Sequence, residues 1–173
     1  MNQVAIKGFS ADMSEQPAYM ALTIGSLSLL AASADVVSIE SVDEIDQPSP
    51  AHSAVGSIHY YGQDIPAYSV TENLDVESAT SDDKTICVVL KHDKSLIALL
   101  CSKAAPFEHP IIRSFPLPEC MRANRTPIRT LCLYRIEGKD DIACVISADS
   151  IIDYIENSQR NAQDVDYRRM QPS

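Results

Sequence analysis

Two apolar runs, Val55 to Tyr61 and Asp64 to Val70, meet at Gly62, and that junction constrains the fold more than any other feature of the chain. Each run is too short for an ordinary helix. The glycine between them can take the positive φ that a tight reversal requires. The segment therefore reads as an antiparallel β-hairpin, and the same grammar recurs along the chain. Tyr19 to Ile24 and Leu27 to Ala31 flank Gly25-Ser26, Thr85 to Lys91 and Ser95 to Cys101 flank His92-Asp93-Lys94, and Leu131 to Glu137 and Ile142 to Ser147 flank the polar run Gly138 to Asp141. Val36 to Glu40 adds a β-branched strand after the small-residue bend Ala32-Ser33-Ala34-Asp35. Hairpins in this number leave many unpaired edges unless the sheets close, which points to a mainly β barrel or sandwich.

The punctuation between these units marks connections. Pro48 and Pro50 follow Asp43, Glu44 and Asp46, and Asp75 to Lys84 is a second polar link. Pro106, Pro110, Pro116, Pro118 and Pro127 make residues 104–130 irregular, with short extended pieces at Ile111-Ile112 and Phe115. Asp149 or Ser150 caps a short C-terminal helix whose Ile151, Ile152, Tyr154 and Ile155 share an apolar face. Residues 1–17 read as a flexible tail, residues 18–157 as the folded unit and residues 158–173 as a polar tail. With 45% hydrophobic residues, 173 residues suffice for a core.

Charge is divided along the chain. Gly8 to Asp83 contains thirteen acids and no Lys or Arg, whereas Lys84 to Ser173 contains thirteen bases and eleven acids. The acidic half either steers toward a basic partner or serves solubility and internal neutralisation. Nucleic acid is disfavoured as a partner, because the one basic stretch, Arg113 to Arg135, lies in a loop-rich segment with little aromatic interleaving. No run of eighteen apolar residues and no leader-like N-terminus is present, so a cytoplasmic protein without membrane insertion is expected.

Chemistry finds little support. Cys87, Cys101, Cys120, Cys132 and Cys144 are too widely spaced for a metal knuckle or redox pair, and four lie in apolar runs as buried thiols would. Gly25-Ser26-Leu27-Ser28-Leu29 lacks the second glycine of a nucleophile elbow, and the hairpin leaves no strand-to-helix turn to hold it. His52, His59, His92 and His109 never take metal-ligand spacing, and Glu108-His109 is a poorly placed acid/base pair in a proline-bounded loop. No catalytic residue, metal ligand or cofactor is assigned. A small β-barrel enzyme or ligand-binding barrel of unknown substrate is the alternative to a non-enzymatic role.

The order Val55-Gly56-x-Ile58-x-x-x-Gly62-x-x-Ile65-Pro66, followed by a short apolar strand, resembles the signature hairpin of CheW-like proteins, adaptors that couple chemoreceptors to a histidine kinase. Leu22-Thr23-Ile24-Gly25, Val36-x-x-Ile39, Thr85 to Cys101 and Leu131 to Ile152 resemble further elements of that family in the family's order. The resemblance implies two small five-stranded β-barrels sharing a hydrophobic core, with a short C-terminal helix. It also implies docking to the regulatory domain of a CheA-type histidine kinase and to the tip of a chemoreceptor. Carried over by position, Val36, Ser38 and Gly56 lie where family members contact kinase or receptor, and His59, Tyr60, Tyr61 and Gly62 stand where the usual hairpin reads Asn-Leu-Arg-Gly. Tyr61 replaces a cation with an amphipathic ring and cannot make the same salt bridge. Ser38 stands in place of a usual glutamate. These departures are similar to those of auxiliary adaptors in systems that control type IV pili. Strand alternation places Tyr60 and Tyr61 on opposite faces, so one should pack inward and the other anchor a partner. On this reading Gly56→Asp weakens docking and leaves thermal unfolding nearly unchanged.

Overall fold

A computed structural model of the chain describes residues 18–46, 51, 53–93, 95–122 and 126–169. The expected tail of residues 1–17, the prolines at 48 and 50, and His52 lie outside the described residues. Gly25, at φ +58°, reverses the chain between β1 (Tyr19–Ile24) and β2 (Leu27–Ala32). A 3-10 turn over Ser33–Asp35 leads into β3 (Val36–Ser41), and a second over Val42–Glu44 leads into the short β4 (Ile45–Asp46). The hairpin of β5 (Gly56–Tyr60) and β6 (Gln63–Val70) follows, with the two-residue β7 (Val76–Glu77) against the end of β6. Next come the hairpin β8 (Ile86–His92) and β9 (Ser95–Cys101), then β10 (Lys103–Pro106) and β11 (Ile111–Pro116). One helical turn, α1 (Glu119–Arg122), precedes the hairpin β12 (Thr130–Ile136) and β13 (Lys139–Ile146), and α2 (Ala148–Arg169) closes the chain.

The strands form two sheets, ordered β10-β1-β2-β13-β12-β11 and β3-β8-β9-β6-β5-β4. The two edges of each sheet are consecutive in the chain: β3 and β4 are separated by one 3-10 turn, and β10 and β11 by residues 107–110. One bent run of chain thus supplies both edges, and counting it once leaves five strands around each barrel. The five-stranded barrels implied by the resemblance are present in this form.

The barrels repeat one another in topology although no repeat is visible in their residues. The β8–β9 hairpin occupies the place of β1–β2, and β5–β6 that of β12–β13, with the parallel contact β6 to β9 matched by β13 to β2. The match extends to detail. Tyr61-Gly62 and Glu137-Gly138 are both two-residue turns at positive φ, and one pair further back His59 faces Asp64 as Arg135 faces Asp140. Residues 36–101 build the first barrel, whereas the second joins residues 19–32 to residues 103–146.

This swap redistributes the charge. Residues 36–101 carry eleven acids against three bases, while residues 19–32 carry no charge and residues 103–146 carry five acids against seven bases. The first barrel, not the first half of the chain, is the acidic object.

The core explains the apolar excess of the central strands. Cys87, Val89, Ala98 and Leu100 point into the first barrel with Val55, Ile58, Ile65 and Ala67. The alternate residues Val88, Leu90, Ile97, Leu99 and Cys101 point outward and meet Leu22, Ile24, Leu29 and Ile146 of the second barrel and Ile151 and Ile155 of α2. Strands β8 and β9 are buried on both faces, so they lack the apolar/polar alternation of a half-exposed sheet.

Three expectations change. The proline-rich stretch contains two strands, β10 and β11, because its prolines fall at strand ends or in the connections between them. Strand β13 starts at Lys139, not Ile142: its polar first residues pair with exposed β12 residues across the tight Glu137-Gly138 turn. The closing helix is capped by Ser147, whose Oγ accepts from the Ser150 N–H at 3.1 Å while Ser150 Oγ accepts from the Ser147 N–H at 2.9 Å. Its buried residues are Ala148, Ser150, Ile151 and Ile155, and the helix continues through the polar residues beyond Asn157 to Arg169.

Candidate docking surface

The β5–β6 tip collects four of the seven residues singled out by sequence. Tyr61 at φ +45° and Gly62 at φ +79° form the two-residue loop between paired Tyr60 and Gln63, and the two positive φ values match the primed turn whose twist suits a hairpin. A tyrosine in the left-handed region costs about 1 kcal/mol relative to a residue that tolerates it. Burial does not offset that cost, since Tyr61 is 91% exposed. Its ring contacts Tyr60 edge-on, with centroids 4.6 Å apart and planes at 84°. Tyr60 itself packs against the core of the first barrel, so a half-buried ring props an exposed one.

His59 and Asp64 face each other on the exposed side of this hairpin, Nδ1 to Oδ1 at 3.0 Å. Beside them runs the bent β3–β4 segment. Ile45 pairs with Ile58 and Asp46 with Ser57, so Glu44, which immediately precedes that pairing, lies toward the tip, whereas Asp43 lines a cleft with Ser81, Asp82 and Lys84. The hairpin thus carries the exposed carboxylate of Asp64, with that of Glu44 beside it.

The remaining three residues sit differently. Gly56 opens β5 opposite Ala67 and is buried, so it presents little surface for direct contact. Val36 pairs with Leu90 and leans on the shared core, and Ser38 pairs with Val89 toward the interior of the first barrel. Ser38 Oγ is buried and has no hydrogen-bond partner among the described residues. Strand β3 pairs with β8 and not with the hairpin, so Val36 and Ser38 do not join the tip.

The outward residues of β3 are Val37 and Ile39, 42% and 43% exposed, which sequence reasoning passed over. A register shift between Val36 and Ser38 sets this parity. Val-Val-Ser-Ile-Glu carries no clean alternation from which it could be read. A second exposed apolar area, also missed, includes Ile112, Phe115 and Ile142 on the second barrel, with the Arg113 guanidinium 5.0 Å above the Phe115 ring.

Two clefts adjoin Lys84, the first between the barrels and the second on the first barrel alone. One of about 210 Å³ is bordered by Ile24, Gly25, Glu72 and Glu77, the other of about 360 Å³ by Val42, Asp43 and Asp82, and both touch Ser81 and Lys84. Lys84, 3% exposed, is committed elsewhere: its Nζ donates to Ser69 Oγ and to the Val70 carbonyl, each at 2.7 Å, and to Glu77 Oε2. Burial pushes the Glu77 carboxyl up, but the hydrogen bonds from Lys84 and Ser69 and the Lys84 charge together outweigh it and hold it below its ordinary value. Among the described residues no group of His, Cys, Asp and Glu is arranged to hold a metal, and no helix is long and apolar enough to cross a membrane.

No family model matches this sequence, and no curated protein matches it. Among solved structures, the crystal structure of the scaffolding protein TtCheW from Thermoanaerobacter tengcongensis matches with a TM-score of 0.55 at 13% identity, over 76% of this chain and 88% of that chain. The chain shares that protein's fold.

Proposed function

We propose that this chain, built on the CheW fold, is a cytoplasmic docking adaptor that couples a chemoreceptor-like protein to the regulatory domain of a CheA-type histidine kinase. It acts through surface recognition and makes or breaks no bonds. The observation that carries this reading is Tyr61, an aromatic residue held fully in solvent at a strained φ on a rigid hairpin. Large exposed aromatics anchor interfaces, and backbone strain persists where function favours it. The apolar residues Val37 and Ile39 offer a second contact on the first barrel. Function on this reading rests on these surfaces and not on the fold as such.

Capture from a native lysate, read by mass spectrometry, tests this. The wild type is expected to recover a CheA-type kinase and a receptor-like protein. Tyr61→Ala or Ile39→Asp, each verified as folded by circular dichroism, is expected to reduce that recovery at least fivefold. Recovery of neither class, or equal recovery by all three proteins, overturns the proposal.

A further inference from the structure

We infer that the β5–β6 tip is a receptor for a cationic side chain, an arginine first, presented by the docking partner; this rests on the adaptor reading and names the chemistry of the group that Tyr61 meets. The tip presents electron-rich groups. Tyr61 offers an exposed ring face, which attracts a cation through its quadrupole. Asp64 is 70% exposed and offers a carboxylate. His59 Nδ1 stands 3.0 Å from Asp64 Oδ1 and helps hold that carboxylate at the tip. Glu44, exposed, immediately precedes the Ile45–Ile58 pair on its tip side.

Among the described residues, the first barrel holds little competing positive charge. The first barrel has two bases among the described residues, Lys84, which is buried and bound to Glu77, and Lys91, which is on β8 and not adjacent to the hairpin. A planar guanidinium suits this set better than an ammonium, because it stacks on an aromatic face while its edge forks to a carboxylate. Rigid placement adds to the case. The two-residue turn sets the Tyr61 backbone and the Tyr60 ring contacts its side chain, which lowers the ordering cost of docking.

The test is a ¹H–¹⁵N NMR titration with Nα-acetyl-arginine amide, with Nα-acetyl-glutamine amide and Nα-acetyl-glutamate amide as controls. The arginine probe is expected to give saturable shifts centred on residues 59–64, and the controls none. Apparent affinity should fall at least threefold in Tyr61→Leu and in Asp64→Asn, whose spectra also report retained folding, and again between 50 mM and 300 mM salt. Equal shifts from the glutamine probe, shifts spread over the whole acidic barrel, or indifference to Tyr61→Leu overturn the inference. The probes need neither kinase nor receptor. Failure of the adaptor reading therefore appears in the lysate capture and failure of this inference in the titration.

Discussion

The Glu72 carboxylate accepts both the backbone N–H of Ser26, at 3.0 Å, and its hydroxyl, at 2.7 Å, so a loop of the first barrel holds the β1–β2 turn of the second. The turn it grips is the left-handed Gly25, where an added Cβ would stand 2.8 Å from Glu72 Oε2. The same loop is tied to α2, whose Tyr154 hydroxyl donates to the Leu74 carbonyl at 2.7 Å. Residues 71–77 thus join both barrels and the closing helix.

The Ser26 hydrogen bonds hold the Glu72 carboxyl below its ordinary value. A depressed folded value means that the contribution is complete above the pH where an unfolded glutamate titrates, and is lost as pH falls through the lower folded value. Glu72→Gln keeps an acceptor but not the charge, so thermal scans from pH 7 to pH 3 should show a shallower acid limb than the wild type, with a small loss at neutral pH. An unchanged acid limb would show that this contact does not couple to stability. Gly25→Ala should cost about 1–2 kcal/mol in urea unfolding, because it adds left-handed strain and displaces Glu72.

Lys84 is a buried charge whose acceptors are all in place. Lys84→Met should destabilise the protein by about 3 kcal/mol in urea titrations, the low end for a broken buried pair because Glu77 retains some contact with water. Adding Glu77→Leu should recover part of that loss by removing the stranded carboxylate. A double variant no more stable than the single one would assign the cost to lost packing of the lysine stem.

Gly56 is buried opposite Ala67, which bears on what a substitution there does to stability. A carboxylate placed at this site would be desolvated beside Ala67, so Gly56→Asp should lower the unfolding midpoint by more than about 2 kcal/mol equivalent, whatever it does to docking. Tyr61→Asn at the tip should leave stability within about 0.5 kcal/mol, as relief of left-handed strain balances the lost ring contact. Thermal melts of both variants check the contrast.

The thiols should separate cleanly by reactivity. Burial pushes Cys87 up to about 12, helped by the Glu40 charge, and burial pushes Cys101 to about 12 as well. Cys120 is exposed. Iodoacetamide at pH 8 should therefore modify Cys120 within minutes and Cys87 and Cys101 only after denaturation, as peptide mapping would show. Rapid native labelling of Cys101 would contradict its placement in the shared core.

The hairpins were legible in the sequence because turn formation is local. Gly25, Gly62 and Gly138 mark their reversals through backbone conformations that few other residues take without strain, and the apolar runs beside them have nowhere to continue as helix. Tyr60 and Tyr61 could be singled out together for the same reason, since they adjoin a turn and alternation sends them to opposite faces, but only the structure turned Tyr60 inward and left Tyr61 exposed. The pairing of strands remote in the chain was not legible. Which ends of a bent segment border β8 or β5, how β2 comes to lie parallel to β13, and why the neutral β1–β2 hairpin joins the basic second barrel all depend on contacts between residues far apart, to which no local preference speaks. Facing of β3 was hidden likewise, because one bulged residue decides whether Ser38 or Ile39 meets solvent, and only the neighbouring strand imposes the bulge. Local backbone chemistry in the sequence determined the reversals. Burial against partners distant in the chain decided which side chains were left outside to meet another protein.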